Sequence, residues 1–294
     1  MTITERLATT GVWYFTDTMT AGEAAEFAQR LESLGYSTLW LPETIGRDPF
    51  AHIAWLASKT SELVFATGIA NIFHRHPGMM RQVATTLAEQ TKGRFVLGLG
   101  VSHAPMVAGL RRLDYSKPLS QMRDYLAAMD AAPYRGVEPP ERSPRLLAAL
   151  GPKMLELARD AADGAHPYWT TPEHTAEARR ILGPDKLLCV EQKVVVSTDA
   201  TAARAAAGAA LAIYASLPNY RNSWRRLGYT DDEIDQRAPR FVDAVVAWGT
   251  VEQVQARIRA HHDAGATHVC IQPLSTQGPA VLDWHTVEAL APGR

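Results

Sequence analysis

A chain of 294 residues with 46% hydrophobic and 21% charged residues can bury a large core and has none of the composition of a disordered segment. Its formal net charge of −1 provides no basic field that would draw nucleic acid or an anionic membrane. No apolar run reaches the roughly 20 residues of a bilayer span, and the start MTITERLATTGVWYF lacks a basic region leading into an apolar stretch, so a soluble cytoplasmic protein is expected.

Apolar runs bounded by turn residues begin at Gly11 (GVWYF), Ser37 (STLWLP), Leu63 (LVFATGIAN) and Arg94 (RFVLGLG). Their spacing suits a strand plus a crossover helix. Ala24, Phe27, Ala28, Leu31 and Leu34 recur at helical spacing ahead of Gly35, and Pro77 opens a helix that runs to Gln90. Further strands are read at Arg145–Leu150, Gly164–Tyr168, Leu187–Ser197 and His268–Leu274. Cys189 and Cys270 fall inside two of these apolar runs, which suggests buried thiols, no disulfide framework and a reducing compartment. Eight parallel strands without a clear reversal of order predict an α/β fold of the closed (β/α)8 kind, a TIM barrel forming one domain over residues 1–294, rather than an open sheet. Between the seventh and eighth strands lies a helical insertion over residues 199–241, with an Ala-rich helix at Asp199–Leu217 followed by PNYRNSW and TDDEIDQR. It serves either as a cap or subunit contact, or as a wall of the substrate pocket.

In such a barrel, chemistry is carried at the C-terminal ends of the strands. Those ends hold Phe15 to Asp17, Glu43 with Thr44, Gly68 to Asn71, and Gly100, Val101, Ser102 and His103. The fifth strand runs through Ala149, Leu150, Gly151, Pro152 and Lys153 into a helix. Gly100 and Gly151 let backbone amides approach an anion, to which the helix start after Gly151 adds partial positive charge, although both also suit ordinary turns. His103 can donate to a phosphate or exchange a proton, unless it is a plain loop histidine. Glu43 can act as a base or bind a heterocycle N–H, or serve as a cap or ion-pair partner. His74 and His76 flank Arg75; without a third ligand at a recognisable spacing they are expected to line the pocket or meet a neighbouring subunit, and no metal is predicted. Glu191 and Lys193 share one face of the seventh strand, so they either pair with each other or leave Lys193 near an anionic ligand. Trp13 is singled out because one of two consecutive strand residues must face inward.

Together GVWYF, LESLGYSTLWLPE, ATGIAN, RQVATTLAEQTKGRFVLGLGVSH, AALGPKMLELARDAADGA and GTVEQVQARIRAHHDAGATHVCIQPL resemble the bacterial luciferase-like oxidoreductases, in particular the branch that uses the deazaflavin coenzyme F420. The resemblance spans nearly the whole chain. It implies a homodimer, a non-proline cis peptide at Gly68-Ile69 that backs the cofactor ring, and ring-edge contacts from Glu43 and Thr44. It also implies a phosphate-bearing tail held by the Gly100–His103 loop and the Ala149–Lys153 turn. The expected activity is hydride transfer between F420 and a small organic substrate, with His103 or Glu43 handling the proton and with Trp13, His74 and Lys193 facing the substrate. Alternatives are an FMN-dependent monooxygenase fed by a partner reductase, and a flavin-type binding protein without turnover. The sugar-phosphate dehydrogenases of this family carry an acid-histidine pair after strand two, where this chain has Glu43-Thr44, so that activity is not implied.

Overall fold

The computed structural model describes residues 2–279 and 281–293. Ten strands form in chain order: β1 Gly11–Trp13, β2 Thr38–Leu41, β3 Val64–Thr67, β4 Ala70–Asn71, β5 Phe95–Gly100, β6 Arg145–Leu147, β7 Gly164–Ala165, β8 Leu187–Val196, β9 Val246–Gly249 and β10 His268–Pro273. Every pairing is parallel, and the ring closes where Gly11 of β1 lies opposite Cys270 of β10 and where β10 runs beside β8. β3 and β4 are two halves of one stave, separated at Gly68-Ile69. The barrel therefore has eight staves, as the strand count predicts.

Local sequence explains the alternation. Thr20 forms a reciprocal capping box with Glu23, and the helix it opens, Ala21–Ser33, buries Ala24, Phe27, Ala28 and Leu31 against the sheet. Asp48, Thr171 and Asp199 cap later helices through side-chain oxygens. Inside the barrel, Trp13, Trp40, Val64, Ala66, Val96 and Leu146 pack as a separate core, with Cys189 and Cys270 buried among them. Leu7, after the short helix Ile3–Arg6, packs into the same core, and its carbonyl lies 2.9 Å from His268 Nδ1.

The segment between β8 and β10 departs from the expected form. Helix Ala200–Tyr214 starts one residue after its cap Asp199, and three shorter helices follow at Pro218–Arg226, Asp231–Asp235 and Pro239–Val245. The chain then forms β9, a strand the apolar run FVDAVVAWG conceals because helix and strand meet there without a break. β9 lies outside the ring against the upper half of β8, with Lys193 opposite Val246 and Val196 opposite Gly249. Trp169, Leu211, Trp224, Phe241 and Val245 unite these helices in a core of their own. Among the described residues no single helix is long and apolar enough to cross a membrane.

Candidate active site

Because all staves run the same way, their C-terminal ends open on one side. There a cavity of about 870 Å3 lies between the strand ends and the added helices. Its lining includes Phe15, Ile45 and Ile213, large apolar side chains that are 40%, 69% and 71% exposed. Exposed apolar side chains converging on one concavity mark a ligand site.

At the back of the cavity the Gly68-Ile69 peptide is cis. The indole Nε1 of Trp13 donates to the Gly68 carbonyl at 2.9 Å. A Cβ on Gly68 would stand 2.5 Å from that nitrogen, so only glycine fits beneath Trp13. Gly100 has a different task from the anion contact expected of it. It is buried outside the cavity lining, and its missing side chain makes room for Ile69, whose Cδ1 would lie 2.5 Å from a Cβ there.

Glu43 lines the cavity, yet both its oxygens are engaged. Oε2 accepts from the Asn71 amide at 2.7 Å, while Oε1 meets Arg75 and lies 3.2 Å from His74 Nδ1. Arg75 also pairs with Asp48. The carboxylate thus ties the loop after β4 to the end of β2. Thr44 donates its hydroxyl to Asp17. His74 does not reach the cavity as predicted: held by Glu43 and Asn71, it faces a separate cleft between helices Pro49–Ala57 and Pro77–Gln90. His76 accepts from the Gly78 amide at 3.1 Å and caps the second of those helices.

The loop after β5 places Val101, Ser102 and His103 in the wall. Ser102 adopts a left-handed conformation with φ +53°, uncommon for a non-glycine residue, and its carbonyl accepts from the Tyr115 hydroxyl at 2.9 Å. His103 follows it into the cavity, beside Tyr220 with ring centroids 5.6 Å apart. Its Nδ1 is buried without a partner, and burial pushes the imidazole down to about 4.

Ala149, Leu150, Gly151, Pro152 and Lys153 all line the cavity. The Leu150 carbonyl lies 2.9 Å from His174 Nε2 and accepts from Arg226 Nη2 at 2.7 Å. Arg226 comes from helix Pro218–Arg226, so an inserted helix carries a cation to the turn that opens helix Pro152–Ala161.

Lys193 is not a cavity residue. Its ammonium is buried, 2.8 Å from Glu191 Oε2 and 3.5 Å from the centre of the Tyr168 ring, which stands among the cavity-lining residues. It lies in the upper half of β8, opposite Gln272 near the end of β10, with the rings of Tyr168 and Trp169 over its ammonium. Burial drives the partners toward neutrality, with Lys193 pushed down to about 8 and Glu191 upward.

Sequence reasoning did not single out His166, Tyr168, Tyr214, Tyr220 or Arg226 as lining residues. The rule that strand ends carry the site would have found His166 at the end of β7. Its ring stacks on Trp40 at 4.2 Å and its Nδ1 lies 2.8 Å from the Cys189 carbonyl.

Residues 5–268 match the family model described as luciferase-like monooxygenase. This chain belongs to that family. It is 26% identical to a Mycobacterium tuberculosis protein named "Putative coenzyme F420-dependent oxidoreductase", over 84% of this chain and 89% of the relative. Its fold is similar to that of the coenzyme F420-dependent tetrahydromethanopterin reductase of Methanopyrus kandleri, with a TM-score of 0.76, 16% identity and 97% of each chain covered. It is also similar to the oxygenating constituent of 3,6-diketocamphane monooxygenase from Pseudomonas putida, solved with FMN, at a TM-score of 0.69, 15% identity and 97% of each chain. F420- and flavin-dependent enzymes are thus both neighbours of this luciferase-like chain.

Proposed function

We propose that this protein is a coenzyme F420-dependent oxidoreductase that transfers a hydride between the deazaflavin and a small organic substrate. The observation that carries the reading is one cavity joining an apolar wall at Gly68-Ile69 to a cationic turn at Gly151, Lys153 and Arg226. A planar heterocycle with an anionic tail fits that combination. When bound, the deazaflavin supplies the carbon that takes or gives the hydride.

The chain's own residues do the rest. Gly68 and Ile69 would back the ring, and Trp13, itself a lining residue, fixes the Gly68 carbonyl. At the start of helix Pro152–Ala161, where Pro152 has no N–H and Met154 and Leu155 donate to the Gly151 carbonyl, the Lys153 amide together with the Lys153 and Arg226 side chains would hold the tail. Glu43 and Thr44 act by positioning, since each is already bonded to protein. His103, neutral at physiological pH, is placed to accept a proton from a substrate hydroxyl. The reading includes a homodimer and a partner reaction that restores the cofactor's redox state, the first tested by light scattering in solution.

Parallel titrations of the purified protein with oxidised F420 and FMN, followed by fluorescence, test the assignment. Micromolar or tighter binding of F420 with weak FMN binding is the expected result. Preference for FMN would replace the assignment with an oxygen-using monooxygenase.

A further inference from the structure

We propose that the substrate is an uncharged, largely apolar molecule carrying a carbonyl or hydroxyl oxygen, and that His103 and Tyr220 hold that oxygen. The proposal rests on the F420 reading for the occupancy of the tail end of the cavity.

Among the described residues no free charge stands near Gly68-Ile69. Glu43 is neutralised by Arg75 with His74 beside it, and Lys193 is buried against Glu191 and Tyr168. The remaining lining cations, Lys153 and Arg226, stand with the Leu150–Lys153 turn. Arg226 is six residues beyond Tyr220, or about 9 Å along the helix axis. A carboxylate or phosphate near His103 would be desolvated without a counter-charge, an arrangement that strongly disfavours binding.

Hydrogen-bonding capacity is left unused in the same wall. The Tyr168 hydroxyl donates to Gln272 Oε1 at 2.9 Å and lies 3.3 Å from the Tyr214 hydroxyl, while Tyr115 donates to Ser102. The Tyr220 hydroxyl has no partner among the described residues, although the residue is only 5% exposed and lines the cavity. His103 lines the cavity with no side-chain hydrogen bond among the described residues, and because its Nδ1 is sealed off, Nε2 is the nitrogen a ligand can reach. Burial keeps both side chains uncharged, raising the phenol and lowering the imidazole. A phenol that donates beside an imidazole that can donate or accept matches a neutral carbonyl or hydroxyl oxygen. The surrounding Phe15, Ile45, Met106, Leu119 and Ile213 suit an apolar skeleton.

Four probes with one ring system separate the possibilities: 2-acetonaphthone, 2-naphthoate, 2-naphthyl phosphate and 2-ethylnaphthalene. Calorimetric titrations on protein saturated with F420 should show the ketone binding about tenfold or more tightly than either anion. Tyr220→Phe should weaken the ketone about fivefold and leave the hydrocarbon unchanged, and His103→Leu provides a second variant with the same expected pattern. An anion binding as well as the ketone, or ketone affinity unmoved in both variants, overturns the proposal. Protein that binds F420 but prefers the naphthoate keeps the cofactor assignment and loses this one. Protein that fails to bind F420 loses the cofactor assignment, and the ketone-to-hydrocarbon comparison in Tyr220→Phe, made without cofactor, still decides the oxygen contact.

Discussion

The Lys193 ammonium and the Glu191 carboxylate meet at 2.8 Å inside the barrel, both side chains at most 1% exposed. The attraction offsets a desolvation cost that neither charge could sustain alone. Replacing one partner, as in Lys193→Met, should therefore lower stability by about 3–5 kcal/mol, measured by denaturant unfolding. The double replacement Glu191→Leu with Lys193→Met should cost much less. Equal losses in the single and double variants would show that packing of the lysine stem, rather than the charge pair, is what matters.

Acid should loosen the fold before most carboxylates titrate. Burial pushes His166 and His268 down to about 4 and His261 to about 3, whereas in the unfolded chain a histidine titrates near 6.5, an ordinary value of about that size. The unfolded state then binds more protons between those values. This contribution is fully present above about pH 6.5 and is lost progressively as pH falls from there to the folded-state values, at about 1.4 kcal/mol per pH unit for each histidine. Denaturation midpoints should fall steadily from pH 7 to pH 5. A flat profile over that range would contradict burial of these rings in neutral form.

The ring of strands was legible because each stave is a short apolar run closed by turn residues, and a parallel series admits few arrangements. The Ala149–Lys153 turn was legible for the same reason, as a strand end running into a helix. Lys193 and His74 were misplaced because local pattern shows neither what covers a strand residue nor which way a loop residue turns: His74, in the loop after β4, is held away from the cavity by Glu43 and Asn71. Alternation places Lys193 inward and its register opposite Gln272 puts it near the mouth, but the rings of Tyr168 and Trp169 lie over its ammonium, a cover that no local pattern shows. The insertion was read as a pocket wall in one of two alternatives, but Tyr220 and Arg226 could not be picked out within it. They belong to a helix whose docking is set by Trp224 Nε1 donating to the Trp169 carbonyl at 3.0 Å, a contact between residues 55 apart in sequence. No local pattern encodes that pairing.

His103→Ala should lower turnover far more than it lowers F420 affinity, because the imidazole faces the space beside Tyr220 while the cationic turn remains intact. Steady-state kinetics combined with cofactor titration give both quantities. Parallel loss of the two would make His103 a cofactor-binding residue.

Gly68 and Gly151 make a contrast in steric demand. A Cβ at 68 would stand 2.5 Å from Trp13 Nε1, whereas at 151 the nearest atom beyond its neighbours is Arg226 Nη2 at 3.8 Å. Gly68→Ala should destabilise by about 1–3 kcal/mol through overpacking and weaken F420 binding. Gly151→Ala should leave the melting temperature nearly unchanged. If both variants melt as the parent does, the contact beneath Trp13 is not as tight as described.

Arg226 offers the sharpest test of the cationic turn. One guanidinium nitrogen donates to the Leu150 carbonyl at 2.7 Å, and the same carbonyl remains paired with His174 if the arginine is removed. The turn should therefore survive Arg226→Ala, so that any loss of affinity reports the charge itself. A charge-assisted hydrogen bond of about 1.5–3 kcal/mol corresponds to a weakening of F420 binding by roughly 10- to 100-fold. The residual binding should also depend less steeply on salt. Arg225→Ala is the control, because that side chain pairs with Asp231 and does not line the cavity. Equal effects from the two variants would assign the loss to the inserted helix as a whole, whereas an effect confined to Arg226 would show that the inserted helix completes the cofactor site.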